Sequence, residues 1–370
     1  MKRILFLIHD LGPGGAEKVL VNLVNGIDRS KFDVSLRTLF DWGPNREALA
    51  PDVRYSSWFP RNIPANSHWM KLWTPARLWK MIVPEKYDIV VSFLEGPCAR
   101  VAGGCPEDGT KAVFWIHTPI LNEKKFTEGF RSRDEAERCY GRADALVFVS
   151  EDVRSAFLKQ YRPARTTAVL HNVFESGRIR QAAGEDPIDP SMDRTLLNWC
   201  GVGKLIPLKG WDRMLRIQRK LIDEGFPAHF WLIGDGPQRQ ELEHLADQLG
   251  IRDTVTFAGY RSNPYAYISR CILYVCASER EGFSTAAVEA LLCGTPVCSV
   301  DVGGMKEILG SGGEYGVVTD NTDEALYPAV RRFFADPGYR QAYQEKAGRR
   351  GREFDRDSAV GKIGEFLLSL

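Results

Sequence analysis

Apolar runs and helically spaced stretches alternate from one end of the chain to the other. In the first half the apolar runs are Ile4–Ile8, Val34–Leu39, Ile89–Phe93, Ala112–Ile116 and Leu146–Val149. Helical patterns such as Ala16–Asn25 and Val153–Tyr161 accompany them. Runs that are apolar at consecutive positions suit strands buried on both faces, and hence a parallel sheet. A polar stretch with two prolines, ending in Glu185-Asp186-Pro187-Ile188-Asp189-Pro190, then interrupts the pattern and reads as a linker over 176–190. The alternation restarts with Leu196–Cys200, Ala228–Ile233, Val255–Ala258, Ile272–Cys276 and Pro296–Val300. Helices are predicted over Trp211–Asp223 and Gln238–Leu249. The fold class is therefore α/β, with two tandem Rossmann-like domains over 1–175 and 191–352. The tail is helical and charged. Its stripe of Ile363, Phe366, Leu367 and Leu368 needs a surface to cover, and 353–370 is expected to cross back to the first domain.

A chain of 370 residues is long enough for two such cores, and its 44% hydrophobic and 26% charged content excludes a disordered or fibrous protein. A net charge of +1 gives no argument for nucleic acid. No apolar run reaches the roughly 18–20 residues of a membrane span. The first run, after Lys2-Arg3, is too short for a signal peptide and reads as a buried strand. The eight cysteines never form a C-x-x-C, which suits reduced thiols and a cytoplasmic location.

In parallel α/β sheets ligands bind beyond the carboxyl ends of the strands, so the chemistry is sought in the loops that follow them, in a cleft between the domains. The first such loop is Leu11-Gly12-Pro13-Gly14-Gly15-Ala16-Glu17. Its glycines would let backbone N–H groups approach a phosphate, with Gly12 and Gly14 in the first two places of a dinucleotide fingerprint, or simply form a tight turn. Glu17 stands where a dinucleotide fingerprint needs its third glycine, which disfavours a nicotinamide enzyme. The second loop, Gly201 to Gly210, holds Gly203 and the lysines Lys204 and Lys209. Two ammonium groups there suit a diphosphate, with solvated surface lysines as the plain alternative. The third is the segment Glu281-Gly282-Phe283-Ser284-Thr285 to Gly294. Ser284 is a predicted N-cap. Glu289 lies in an otherwise apolar helix and needs a partner, which ribose hydroxyls or a structural ion pair would supply. Glu281 precedes the helix and would accept from sugar hydroxyls, or be a solvated loop carboxylate. The backbone N–H groups of Phe283 to Thr285 favour a phosphate.

Glu281-x7-Glu289 with Gly294-x-Pro296, Gly203-Lys204-Leu205 with Lys209-Gly210, Gly234-Asp235-Gly236-Pro237, and Gly14-Gly15-Ala16-Glu17 occur in the right order along essentially the whole chain. Together they resemble the family-4 retaining glycosyltransferases of the GT-B fold, in the branch that builds bacterial polysaccharides and lipid-linked oligosaccharides. One departure is Lys204, where the family usually has arginine; the charge is kept and the bidentate fork is lost. The resemblance implies a nucleotide-sugar donor, a UDP-sugar by preference, and a glycan or lipid-linked acceptor. It implies Glu289 on the ribose, Glu281 on the donor sugar, Lys204 and Lys209 on the departing diphosphate, and Gly14 and Gly15 closing over the donor. Gly259 and Tyr260 would frame the base, and His117 would stand near the reacting carbon, unless it is only a satisfied strand-end histidine. His9 is the second choice.

No Asp-x-Asp pair follows a buried strand. With lysines facing the diphosphate, neither a metal nor another cofactor is expected. A sugar-nucleotide epimerase, a phosphorylase on the same fold, or a non-catalytic sugar-nucleotide binding protein are the alternative readings. Between Arg54 and Lys86 four tryptophans and six Lys/Arg accompany one acid, Glu85. That composition suits an anionic membrane surface, and peripheral attachment to the inner face of the cytoplasmic membrane; alternatively the tryptophans pack internally or line an acceptor pocket.

Overall fold

The computed structural model describes residues 1–61, 69–163, 165–186 and 192–370. The chain forms two compact units, one of Met1–Phe174 with Arg356–Leu370 and one of Glu175–Asp355. The first holds a seven-stranded sheet: β1 (Lys2–Ile8), β2 (Phe32–Phe40), β3 (Arg54–Phe59), β4 (Ile89–Ser92), β5 (Lys111–Ile116), β6 (Ala145–Phe148) and β7 (Thr166–Val169). Their order is β3-β2-β1-β4-β5-β6-β7, and every pairing is parallel. The second holds β8 (Leu197–Val202), β9 (Ala228–Ile233), β10 (Val255–Gly259), β11 (Leu273–Cys276), β12 (Val297–Val300) and β13 (Val317–Thr319). Their order is β10-β9-β8-β11-β12-β13, again all parallel.

Each sheet is built outward from its first strand, then restarts on that strand's other side. The order therefore reverses between β1 and β4 in one unit and between β8 and β11 in the other. At such a switch point the loops leaving the two strands part in opposite directions and open a crevice at the carboxyl ends. The strands flanking both switch points are fully buried along most of their length, Ile4–Ile8, Ile89–Ser92 and Leu273–Cys276 among them.

Two sequence-based expectations are corrected. The 176–190 stretch is not linker throughout: Ser176–Ala183 is a helix that buries Ile179 and packs within the second unit; residues 187–190 lie outside the described residues. In the terminal helix, Arg356–Leu368, the buried side chains are Val360, Ile363 and Leu367, while Leu368 is 39% exposed. Positions three and four apart share a helix face, whereas Leu368 is turned about 100° from Leu367. This helix packs on Gly15–Gly26 of the first unit, where a Cβ on Gly26 would stand 3.1 Å from Val360 Cγ2.

Candidate functional site

The loop after β8 runs through a turn at Pro207–Lys209 into the helix Trp211–Asp223. It brings Lys209 to the segment that leaves β11. Lys209 Nζ donates to Glu281 Oε1 at 2.6 Å, and the same oxygen accepts from Ser278 Oγ at 2.8 Å. The carboxylate side chain is 13% exposed and the lysine 26%. Two residues with separate expected roles are thus one ion pair at the switch point, and Glu281 is not a solvated loop carboxylate. Lys204, on the same loop, is exposed; its carbonyl accepts from Trp211 Nε1 at 3.0 Å.

The loops after β8, β9 and β10 are laced edge to edge. Gly203 N donates to Ile233 O at 3.0 Å, Gly234 N to Gly259 O at 2.9 Å, and Leu205 N to Asp235 O at 3.0 Å. Gly234 has φ +149°, and a Cβ there would lie 1.8 Å from Gly203 O. Only glycine permits this approach, so the Gly234-Asp235-Gly236 motif has a structural reason. Gly259 closes the ladder at φ +71°, and Tyr260 beyond it is 64% exposed.

Ser284 caps the helix Thr285–Leu292 by accepting from Ala287 N at 3.4 Å, and Phe283 beside it is buried. Four residues along that helix from Thr285, Glu289 is buried and accepts from Tyr265 Oη at 3.0 Å. Tyr265 begins the short helix that follows the β10 loop. The carboxylate that the sequence left needing a partner therefore has a phenol on it, which no spacing rule would reveal.

In the first unit Gly14 is the N-cap of Gly15–Gly26. Burial pushes the Glu17 carboxyl above its usual range, so the charge is disfavoured at this helix start. His9 Nδ1 lies 2.7 Å from Asp10 Oδ2. His117, beyond β5, is 7% exposed, stacks on Trp115 and tilts against Phe93 at 4.6 Å between ring centres. Its Nε2 has no hydrogen-bond partner among the described residues, so it does not read as a satisfied strand-end histidine. Burial pushes the imidazole down to about 3, so the ring is neutral at neutral pH. Glu95, missed from sequence, organises this corner: it accepts from His117 N at 3.0 Å and from the Thr118 hydroxyl. Its place directly after β4, at the switch point, was the signal available.

Of the tryptophans in 54–86, Trp79 is buried and Trp69 is 58% exposed, beside Leu72 at 74%. Residues 62–68 lie outside the described residues. Among the described residues no group of three or more His, Cys, Asp or Glu could share a metal ion, and no helix is long and apolar enough to cross a membrane.

Residues 13–176 match the family model for Glycosyltransferase Family 4, and residues 198–350 that for Glycosyl transferases group 1. A Campylobacter jejuni enzyme, N-acetylgalactosamine-N,N'-diacetylbacillosaminyl-diphospho-undecaprenol 4-alpha-N-acetylgalactosaminyltransferase, is 28% identical over 100% of both chains. The lipopolysaccharide core biosynthesis glycosyltransferase LpsD of Rhizobium meliloti is 30% identical over 55% of this chain, which covers 57% of that relative. HepE of Anabaena, solved in complex with UDP, superimposes with a TM-score of 0.79 at 22% identity, covering 100% of both chains. The two family models between them span most of the chain, which belongs to the glycosyltransferases of the GT-B fold.

Proposed function

We propose that the protein transfers a sugar, with retention of anomeric configuration, from a UDP-sugar to a glycan or lipid-linked glycan, without a metal. The observation that carries this reading is the Lys209–Glu281 pair at the switch point of the second sheet. The bond from the anomeric carbon to the diphosphate breaks, a bond to an acceptor oxygen forms, and the acceptor's proton is released. Negative charge grows on the leaving diphosphate. A fixed ammonium that meets this charge better than the ground state's lowers the barrier. Lys209 supplies it, and exposed Lys204 adds a second charge. Glu281, already an acceptor for Ser278 and Lys209, keeps a carboxylate oxygen for a sugar hydroxyl. Glu289 takes the ribose, and Gly259 and Tyr260 frame the base. In the first unit, neutral His117 presents a ring nitrogen with no hydrogen-bond partner among the described residues.

The UDP bound to HepE and the undecaprenol-linked substrate in the Campylobacter enzyme's name support donor and acceptor classes. Exposed Trp69, Leu72 and Met81 among Lys71, Arg77 and Lys80 support docking of this segment on an anionic membrane. A thermal-shift panel of nucleotide sugars, then a transfer assay with the best binder with and without EDTA, tests the reading. Transfer to an undecaprenyl-diphosphate glycan, unchanged by EDTA and giving the α-product from an α-donor, is expected. Free sugar isomer with no acceptor product would make it an epimerase. Flotation with anionic against neutral vesicles tests the membrane contact.

A further inference from the structure

The Lys209–Glu281 pair is held from behind by a network that no motif announces. Arg213 lies in the first turn of the helix that begins at Trp211, and its side chain is only 14% exposed. Its Nη1 donates to Ala277 O at 3.0 Å and to Asn321 Oδ1 at 2.7 Å, while Nε donates to Asp323 Oδ1 at 2.6 Å. Asn321 Nδ2 in turn donates to Ser278 O at 3.2 Å. The carbonyls of two consecutive residues, Ala277 and Ser278, are thereby fixed by one cluster. Those residues open the loop from β11 to Glu281, and Ser278 Oγ is the second donor on Glu281. The loop carrying Lys209 is tied to the same strip. Glu279 N donates to Leu208 O at 2.9 Å, and Gly210, at φ +65°, packs so closely on Ala277 O that a Cβ would stand 2.3 Å away.

We infer that Arg213, through Asn321 and Asp323, is a positioning residue for transfer: it locks the loops after β8 and β11 in one register so that Lys209 is aimed before donor binds. This deepens the reading of Lys209 as the group that receives the departing diphosphate, and rests on it. The planar fork is what the arrangement uses, since three acceptors, on the loops after β11 and β13 and at the start of the helix Asp323–Ala335, are reached from one rigid group. A preorganised charge loses much of its value when its support is slack by about 1 Å. The predicted signature is a turnover effect that disappears when Lys209 is absent, which a general loss of stability would not give.

The experiment is a kinetic cycle on the full chain with the preferred nucleotide sugar, using Arg213→Ala, Asn321→Ala, Lys209→Ala and the two double variants with Lys209→Ala. Thermal unfolding of each checks folding, and Asn321→Ala, the milder change, is the second route should Arg213→Ala unfold. Each network variant is expected to lower kcat by about 10-fold with donor KM changed by less than about 2-fold, and each double variant to be no slower than Lys209→Ala alone within about 2-fold. If Lys209→Ala is slow but Asn321→Ala and Arg213→Ala keep wild-type kcat, or if their losses multiply with that of Lys209→Ala, the positioning role is wrong. If Lys209→Ala itself turns over normally, the reading of the site fails, and the inference with it.

Discussion

Lys209 Nζ sits 2.6 Å from Glu281 Oε1, although 72 residues separate the two in the chain. The contact exists because β8 and β11 are hydrogen-bonded neighbours that flank the point where the strand order reverses. Removing the carboxylate while keeping its shape therefore disturbs two donors at once. Glu281→Gln is expected to lower kcat by about 10- to 100-fold, and Ser278→Ala, which removes one donor of the same oxygen, by less. Steady-state kinetics on the two variants checks the ranking; equal or inverted effects would contradict it.

Glu289 and Tyr265 make a second pair, at 3.0 Å, in a buried setting. A hydrogen bond to a charged group contributes about 1.5–3 kcal/mol. Glu289→Ala is accordingly expected to weaken UDP binding by about 10- to 100-fold, and Tyr265→Phe by a smaller factor, because the carboxylate stays but loses a fixed donor. Titration calorimetry with UDP reads both.

His117 links stability to pH. Burial holds its folded value at about 3, below the ordinary 6.5, so the native state stays neutral while the unfolded chain takes up a proton as pH falls. Its contribution is fully present above the unfolded value and is lost as pH drops from about 6.5 towards 3. Between pH 7 and pH 5 this amounts to about 2 kcal/mol. Unfolding of the wild type at the two pH values, compared with His117→Gln, isolates the effect. The variant should show a smaller loss; an identical loss would place the linkage elsewhere.

Gly234→Ala puts a Cβ 1.8 Å from Gly203 O at a φ of +149°. Backbone strain alone costs about 1–3 kcal/mol, and the neighbouring loop must also move. A lower Tm together with weaker donor binding is expected, because the displaced Gly203 belongs to the lysine loop.

The sequence was most informative where strands are buried on both faces. Ala228–Ile233 and the helix Trp211–Asp223 are found at the residues expected, and the other expected strands are displaced by one or two residues at their ends. The three strands not expected from the sequence are Arg54–Phe59, Thr166–Val169 and Val317–Thr319, and all three are sheet edges. An edge strand is half-exposed, so its sequence carries polar residues and no unbroken run. At the site, the lysines, Glu281, Ser284 and Glu289 were legible from local spacing. Their partners Ser278 and Tyr265, the supporting Arg213 in the second unit, and Glu95 beside His117 in the first, were not. Apart from nearby Ser278, each reaches its contact across strands or loops distant in sequence, and such pairings follow from strand order rather than from a motif.

The most direct test of the account is the transfer rate of Lys209→Ala at saturating nucleotide sugar and acceptor. A fall of about 10²–10³-fold, with nucleotide affinity within a few-fold of wild type, is the predicted result, because the ammonium acts on charge that develops only as the diphosphate departs. Wild-type turnover by this variant would contradict the account.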